Sequence, residues 1–250
     1  MPFDSLQSLD VPALDLTGLD VLALVWFALC TIGYNLVTST RPLWKRGLLG
    51  AIQLQRRRWM LHMARRTDRS VDVMLISSLA SGNTFFASTS VILLGVLSAF
   101  LGAGERAQAV LQQIPIAVHA SPVAWNVKVL VLMTVLIYAF FKFAWAFRLA
   151  HYAMIMMGAM PSAGEASQEM WEHHAERAAQ VAGIAAEHGN LGLRSYYFAM
   201  AGLAWFLHPA LFLVTTTLVV LIVIRREYFS RTLASISERK TLTISSMHRF

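Results

Sequence analysis

Charged residues are scarce in this sequence. Only 14% of the 250 residues are Asp, Glu, Lys or Arg, whereas 56% are hydrophobic. Soluble domains carry roughly a quarter charged residues, so the composition argues against a chain surrounded by water on all sides. We expect lipid to surround much of its apolar surface.

The sequence also lacks basic residues at its N-terminus and a second cysteine. The first twenty residues contain four aspartates but no Lys or Arg. Because a cleavable signal peptide begins with basic residues, the first apolar segment is predicted to be an uncleaved membrane span. Cys30 is the single cysteine, which excludes an internal disulfide and a CxxC metal site and leaves the redox compartment open.

Motifs of catalysis and nucleotide binding are missing. The sequence contains no GxSxG, HExxH, P-loop or GxGxxG pattern. No pair of carboxylates lies within an apolar segment, which leaves a proton relay without support. We therefore predict no catalytic residues, no metal site and no cofactor, and the sequence favours a non-enzymatic role.

Four long apolar segments dominate what is present. They lie at about 19–39, 79–101, 124–147 and 196–224, and about twenty apolar residues suffice to cross the hydrocarbon core as a helix. The predicted fold is an all-α, polytopic helical membrane protein with about four transmembrane segments plus amphipathic interfacial or cytoplasmic helices. It forms one domain, 1–228, followed by a basic tail, 229–250.

The net charge of +7 is concentrated between and after these segments. Arginines crowd the stretch 41–69 and recur in the tail. This distribution is typical of cytoplasmic loops that meet anionic lipid, here of a bacterial inner membrane. Without a basic groove interleaved with aromatic residues, no nucleic-acid partner is predicted.

The basic stretch itself has a helical pattern. Leu48, Ile52, Trp59 and Met63 recur at helical spacing among arginines. We expect a basic amphipathic helix lying on the membrane surface. The alternative is a solvated helix that packs on neighbouring helices of the same chain.

The second apolar segment carries many small and polar residues, from Ser78 to Ala99. Small residues allow helices in lipid to approach closely, so we expect this helix at the centre of the bundle. A substrate path along Asn83 to Ser90 is the less frequent use of such a stripe. Two lysines lie in the third segment: Lys128 near one end, where it can reach the interface, and Lys142 deeper.

A further helix is predicted beyond Pro161. Ser162 and Glu165 have capping-box spacing, and Gly189-Asn190 fits a C-terminal cap. One face of this helix holds alanines only and is predicted to be a docking side. Its members are Ala175, Ala178, Ala182 and Ala185.

The last apolar segment leaves two alternatives for the position of the basic tail. Its 29 residues contain His208-Pro209 near the middle. One kinked span, which we favour, places the tail outside, against the positive-inside rule. A hairpin of two short helices places it inside, although each half is short for a span.

Histidines and glutamates suggest two further sites. Glu169, Glu172, His173 and Glu176 share a helix face that could hold a divalent metal, but a solvated polar face is the expected role. Haem ligation would need His208 and a second axial residue at matching depth. Neither His151 nor His119 matches, so His208 is expected to bond a backbone carbonyl or the polar stripe.

Three stretches resemble a known family. They are 82–95 (GNTFFASTSVILLG), 148–152 (RLAHY) followed by Pro161, and 190–198 (NLGLRSYYF) followed by a proline-interrupted apolar segment. Their order and spacing over about 20–228 resemble the bacterial and plant membrane proteins named Domain of Unknown Function 599. The resemblance implies a multi-pass membrane protein and brings no activity, cofactor or site residue with it.

Three functions follow as hypotheses. The first is an accessory, interaction or scaffold component of the bacterial inner membrane, in contact with anionic lipid at its basic segments and with membrane protein partners or a second copy. The second is a small oligomeric transporter or channel, motivated by the stripe from Asn83 to Ser90 and by Lys142. The third, a haem-binding redox protein, has the weakest support.

Overall fold

The computed structural model describes residues 10–11, 16–39, 47–111, 113–118, 120–161 and 166–236. A two-residue antiparallel pair, β1 (Asp10–Val11) with β2 (Leu16–Thr17), precedes the helices. The helices are α1 Gly18–Ser39, α2 Leu48–Ala64, α3 Ser70–Gly102, α4 Gly104–Leu111, α5 Pro122–Gly158, α6 Gln168–Leu203, the 3₁₀ turn Ala204–Phe206, α7 Pro209–Tyr228 and α8 Arg231–Ile236.

Four helical segments within the described residues are long and apolar enough to cross a membrane. They are Gly18–Thr38, Ser70–Gly102, Pro122–Gly158 and Pro209–Ile236. The first covers the predicted span 19–39 except for its last residue, and the next two contain the predicted spans 79–101 and 124–147. The all-α, polytopic helical fold predicted from the sequence is thus confirmed.

Polar side chains mark where the long helices begin. Ser121 accepts a hydrogen bond from the Ala124 N–H at 3.1 Å, and Ser167 accepts one from the Met170 N–H at 3.3 Å. Each satisfies a backbone donor that has no partner within the helix. The predicted capping box Ser162–Glu165 lies outside the described residues.

α6 does not end at Gly189-Asn190, so the predicted C-terminal cap is wrong. The helix continues to Leu203. A Cβ on Gly189 would stand 2.8 Å from Asn83 Oδ1, and one on Gly192 would stand 2.7 Å from the Phe143 ring. These glycines therefore serve close helix packing instead of ending the helix.

The predicted span 196–224 is not one kinked helix, which corrects the interpretation we favoured. The chain turns at 204–208 and returns along α6. The rings of Trp205 and Phe212 stack at 5.0 Å, and Thr215 Oγ1 donates to the Ala201 carbonyl at 3.1 Å. Pro209 cannot continue a helix because it lacks an N–H and its ring clashes with the preceding turn, so it occupies the first position of α7.

α5 is the central helix, and the prediction that α3 would be central is wrong. α5 runs antiparallel between α3 and α6. Trp125 Nε1 donates to the Phe100 carbonyl at 3.1 Å, and Phe143 packs on Gly192. On α3, by contrast, Phe85 and Ile92 are each 66% exposed. The small residues Gly82 and Gly95 have no other part of the described chain near them.

α2 and the first half of α6 pack against one another. Met60 and Met63 of α2 are fully buried. They share one core with the alanine face of α6 and with the end of α5. α2 therefore packs on neighbouring helices of the same chain. This was the alternative to a helix lying on the membrane surface. The docking side predicted for α6 is covered from within the chain.

The helices define two ends of the molecule. The hairpin end holds the start of α1, the end of α3, the start of α5 and the turn 204–208, where the Val118 N–H donates to the Leu207 carbonyl at 3.0 Å. The basic end holds α2, the start of α3 and α6, the end of α5, and α8, where Gln55 Nε2 donates to the Ile236 carbonyl at 3.4 Å. α7 ends here with Arg225 and Arg226 in its last turn.

Candidate functional site

A cavity of about 630 Å³ lies between α1 and α5, with α6 as its back wall. Ligand sites in proteins usually have about 300–1,000 Å³. Toward the hairpin end the lining is mostly apolar; besides Thr31 and Thr134, the residues are Leu24, Phe27, Ala28, Ile32, Val131 and Val135. The cavity is therefore suited to a hydrocarbon chain along most of its length.

Toward the basic end the same cavity becomes polar. Its lining there consists of Asn35, Thr38, Glu187, Asn190, Arg194 and Glu227. Arg194 is only 7% exposed. Its Nη1 donates to Thr38 Oγ1 at 3.1 Å, its Nη2 lies 3.5 Å from Glu227 Oε2, and its Cζ lies 5.0 Å from the Tyr34 ring centroid. A buried guanidinium thus stands at the end of an apolar groove.

Glu227 connects this cluster to α2. Its Oε1 accepts a long hydrogen bond, 3.4 Å, from the Leu49 N–H, where the first turn of a helix carries a partial positive charge. A Cβ on Gly47 would stand 2.9 Å from that oxygen. The carboxylate therefore occupies space that a larger residue at position 47 would take, and it holds α2, α6 and α7 together.

Three buried polar atoms on α1 have no hydrogen-bond partner among the described residues. They are Thr31 Oγ1, Tyr34 Oη and Asn35 Oδ1. Thr31 and Asn35 line the cavity. Most buried polar atoms in proteins are paired, so these atoms leave unsatisfied hydrogen-bonding groups along the α1 wall, two of them on residues that line the cavity.

A further carboxylate lines the polar end, and a lysine lies next to another lining residue. Glu187 lines the cavity and makes no hydrogen bond or ion pair within the described part of the chain. Lys142 Nζ lies 5.1 Å from the ring centroid of Tyr138, another lining residue, and acts electrostatically on His188, which follows Glu187. Glu187 is therefore a lining carboxylate without a cation partner among the described residues, and Lys142 lies beside the Tyr138 wall.

The polar layer continues beneath α2. A smaller cavity of about 90 Å³ is lined in part by Gln53, Arg56, Glu187 and Asn190. Arg56 Nη1 donates to Gln53 Oε1 at 2.5 Å, and Gln53 Nε2 donates to the Ala179 carbonyl at 3.0 Å. Burial lowers the pKa of the Arg56 guanidinium from its ordinary value, which fits a contact with little water.

The polar stripe of α3 is divided between exposed positions and contacts with α6. Several of its hydroxyls bond the carbonyl four residues earlier in their own helix; these belong to Ser81, Thr84, Thr89 and Ser98. Ser90 is fully buried and bonds Tyr196 Oη at 2.7 Å. Asn83 contacts Gly189. Asn83 and Ser90 therefore contact α6, several other hydroxyls are satisfied within α3, and the cavity of Arg194 lies elsewhere.

His208 and His151 lie at opposite ends of the molecule and cannot ligate one haem. His208 Nδ1 accepts a hydrogen bond from the Ala210 N–H at 3.0 Å and so caps α7 at the hairpin end. We had expected His208 near the middle of a span and bonded to a backbone carbonyl, and both expectations are wrong. His151 Nδ1 lies 2.9 Å from the Phe147 carbonyl near the basic end. His119 lies outside the described residues.

The glutamate and histidine face at the start of α6 is engaged with α2. Glu176 pairs with Arg57, and Glu172 lies 3.9 Å from Arg65. His174 Nε2 lies 2.7 Å from the Met156 carbonyl. Over the described ranges, no three His, Cys, Asp or Glu side chains are placed to hold a metal ion.

Sequence reasoning missed a buried ion pair at the hairpin end. Lys128 does not reach out to the interface. It is 5% exposed, its Nζ lies 3.3 Å from Asp20 Oδ1, and it donates to the Trp205 carbonyl at 3.2 Å. Asp20 also accepts from Trp205 Nε1 at 2.6 Å and from Thr17 Oγ1 at 2.6 Å. With every group paired, this cluster clamps α1, α5 and the turn together. The sequence did contain a signal for this pair. Asp20 and Lys128 have opposite charges and lie near the starts of two apolar segments that begin on the same side.

Comparison with known proteins adds a family. The family model described as "Protein of unknown function, DUF599" matches residues 22–232, which confirms the resemblance seen in the sequence. No curated protein and no solved structure matches the chain. Two of the stretches that carry the resemblance meet in the fold, since Ser90 bonds Tyr196.

Proposed function

We propose that this chain, which belongs to the DUF599 family of proteins of unknown function, is an accessory component of the bacterial inner membrane that binds one phospholipid molecule between α1 and α5. The observation that carries the proposal is the cavity of Arg194, which is apolar along most of its length and charged at one end.

The dimensions of the cavity support a lipid. Leu24 and Thr38 both line it, and fourteen helical residues span about 21 Å. Half of a bilayer's hydrocarbon core is about 15 Å thick. Thr38 lies in the last turn of α1, so Arg194 stands at headgroup level while the apolar part extends through one leaflet. One acyl chain would lie along Phe27 and Val131.

The distribution of basic residues supports an orientation with the basic end in the cytoplasm. Exposed arginines on α2 and directly after it, among them Arg57 and Arg65, stand at the same end as Arg225 and Arg226 of α7. With the hairpin, the chain delivers the start of its basic tail to that end too, in agreement with the positive-inside rule. These arginines would contact anionic lipid of the inner leaflet.

An accessory role also needs a surface for membrane protein partners or a second copy. The outer face of α3 supports this part of the proposal. Phe85 and Ile92 are exposed there, and Gly82 and Gly95 leave room for close approach of another helix.

Lipid binding can be tested by native mass spectrometry of protein purified in mild detergent. We expect the wild-type chain to carry one phospholipid. Ala28→Trp should abolish the adduct because Ala28 lines the cavity. Leu29→Trp is the matched control, since Leu29 is the next residue of α1 and is 62% exposed. A wild-type protein without lipid, or equal lipid in both variants, would overturn the proposal.

A further inference from the structure

The polar end of the cavity carries acceptors as well as a cation, and we infer from this that the site selects a phospholipid with a phosphoethanolamine headgroup. The inference rests on the proposed function, because it names the headgroup of the lipid that the cavity would hold.

Arg194 supplies the position for the phosphate. Its contact with Glu227 is 3.5 Å long, whereas charge-assisted N–H···O bonds are usually about 2.7–2.9 Å. Its other described partner is the Thr38 hydroxyl. A guanidinium has five N–H donors in a planar fork that matches phosphate, so donors remain for a phosphate.

Glu187 supplies the position for an amine. Its carboxylate lines the cavity without a hydrogen bond or an ion pair inside the described ranges. A charged group in a partly buried site is costly unless it is paired. A headgroup with a net negative charge would add a repelling charge beside it, whereas an ammonium group would neutralise it.

Unpaired acceptors distinguish the primary amine from a quaternary one. Asn35 Oδ1 is buried without a donor within the described part of the chain, and Asn35 and Glu187 line the same cavity. A primary ammonium offers three N–H donors. A choline group carries no N–H and satisfies neither acceptor, and a glycerol headgroup offers donors but leaves the Glu187 charge unpaired.

The test is competition among lipids for the full chain. The purified protein is incubated in detergent with equal amounts of phosphatidylethanolamine, phosphatidylglycerol and phosphatidylcholine of identical acyl chains, and the bound species are counted by native mass spectrometry. We expect phosphatidylethanolamine to be enriched roughly tenfold over each of the others, as one charge-assisted hydrogen bond would give.

Glu187→Gln should remove that enrichment, because a neutral amide cannot neutralise the ammonium group. Glu169→Gln is the matched control, because it makes the same change of charge on the exposed start of α6 and should keep the enrichment. Wild-type protein that binds the three lipids equally, or prefers phosphatidylglycerol or phosphatidylcholine, overturns this inference and leaves the proposed function standing. Protein that binds none of them overturns both.

Discussion

Arg194 of α6 and Glu227 of α7 face one another across the hairpin, with Nη2 and Oε2 3.5 Å apart and both side chains largely buried. This pair fixes the direction in which α7 returns along α6. Together with Glu187, these two side chains are the charged groups that line the polar end of the cavity within the described residues.

Removing one member of this pair should cost more stability than removing both. Arg194→Met leaves the Glu227 carboxylate buried without its partner, and breaking a buried pair costs about 3–5 kcal/mol. The double variant Arg194→Met with Glu227→Met should recover most of that loss. Unfolding by a graded mixture of mild detergent and dodecyl sulfate measures both. Single and double variants of equal stability would show that the two charges are not coupled.

The glycines of α6 should be sensitive to a single methyl group. Gly192→Ala places a Cβ 2.7 Å from the ring of Phe143, which is fully buried, and overpacking of this kind costs about 1–3 kcal/mol. Gly82→Ala on α3 meets nothing within 4 Å. It should be neutral or stabilising, by up to about 1 kcal/mol, because Ala favours the helix.

The same unfolding assay compares these two alanine variants directly. If Gly82→Ala were the more damaging of the two, the outer face of α3 would have to be buried against a partner in the purified protein.

Lys128 should contribute to stability, and Lys142 should contribute little. Lys128→Met leaves Asp20 buried without its cationic partner, with an expected loss of about 3–5 kcal/mol. Lys142→Met removes a contact with the Tyr138 ring, worth about 0.5–1 kcal/mol at a partly exposed site. Midpoints of thermal unfolding in detergent give the order. If both variants lost equal stability, Lys128 would not form a buried ion pair.

The hairpin predicts which ends share a side of the membrane. In a Cys30→Ala background, single cysteines at Leu54 of α2 and Ser235 of α8 should react with an impermeant maleimide only after the inner membrane is opened. A cysteine at Val110 of α4, which is 65% exposed at the hairpin end, should react in intact spheroplasts. If positions 235 and 110 both reacted in intact spheroplasts, the hairpin would be wrong and the single kinked span would be supported.

Hydropathy was sufficient to predict the helices of this fold but not their faces. The spans 19–39 and 124–147 fall within α1 and α5 because apolar length alone determines them. Which helix lies at the centre could not be predicted, since lipid and protein interior are equally apolar and leave little amphipathic pattern. The small residues of α3 therefore suggested a centre that α5 occupies.

The candidate site depended on contacts between distant parts of the chain. The stretch 190–198 was singled out in the sequence, and Arg194 lies within it, but its partners Thr38 and Glu227 come from α1 and α7. Pro209 permitted both a kink and a hairpin, and only the packing of α7 on α6 distinguishes them. Lys128 was assigned to the surface because its partner Asp20 is distant in the sequence, at the start of the first span, and the shared side on which the two segments begin was not used to pair the charges.

Photo-crosslinking tests most directly whether a phospholipid lies between α1 and α5. A phospholipid with a diazirine in its acyl chain is bound to the purified protein, irradiated, and the labelled residues are mapped by peptide mass spectrometry. We predict labels concentrated on cavity-lining positions such as Ala28, Ile32 and Val135, and lost in Ala28→Trp. Labels spread evenly over exposed positions such as Phe85 and Ile92 of α3, unchanged in that variant, would contradict the account.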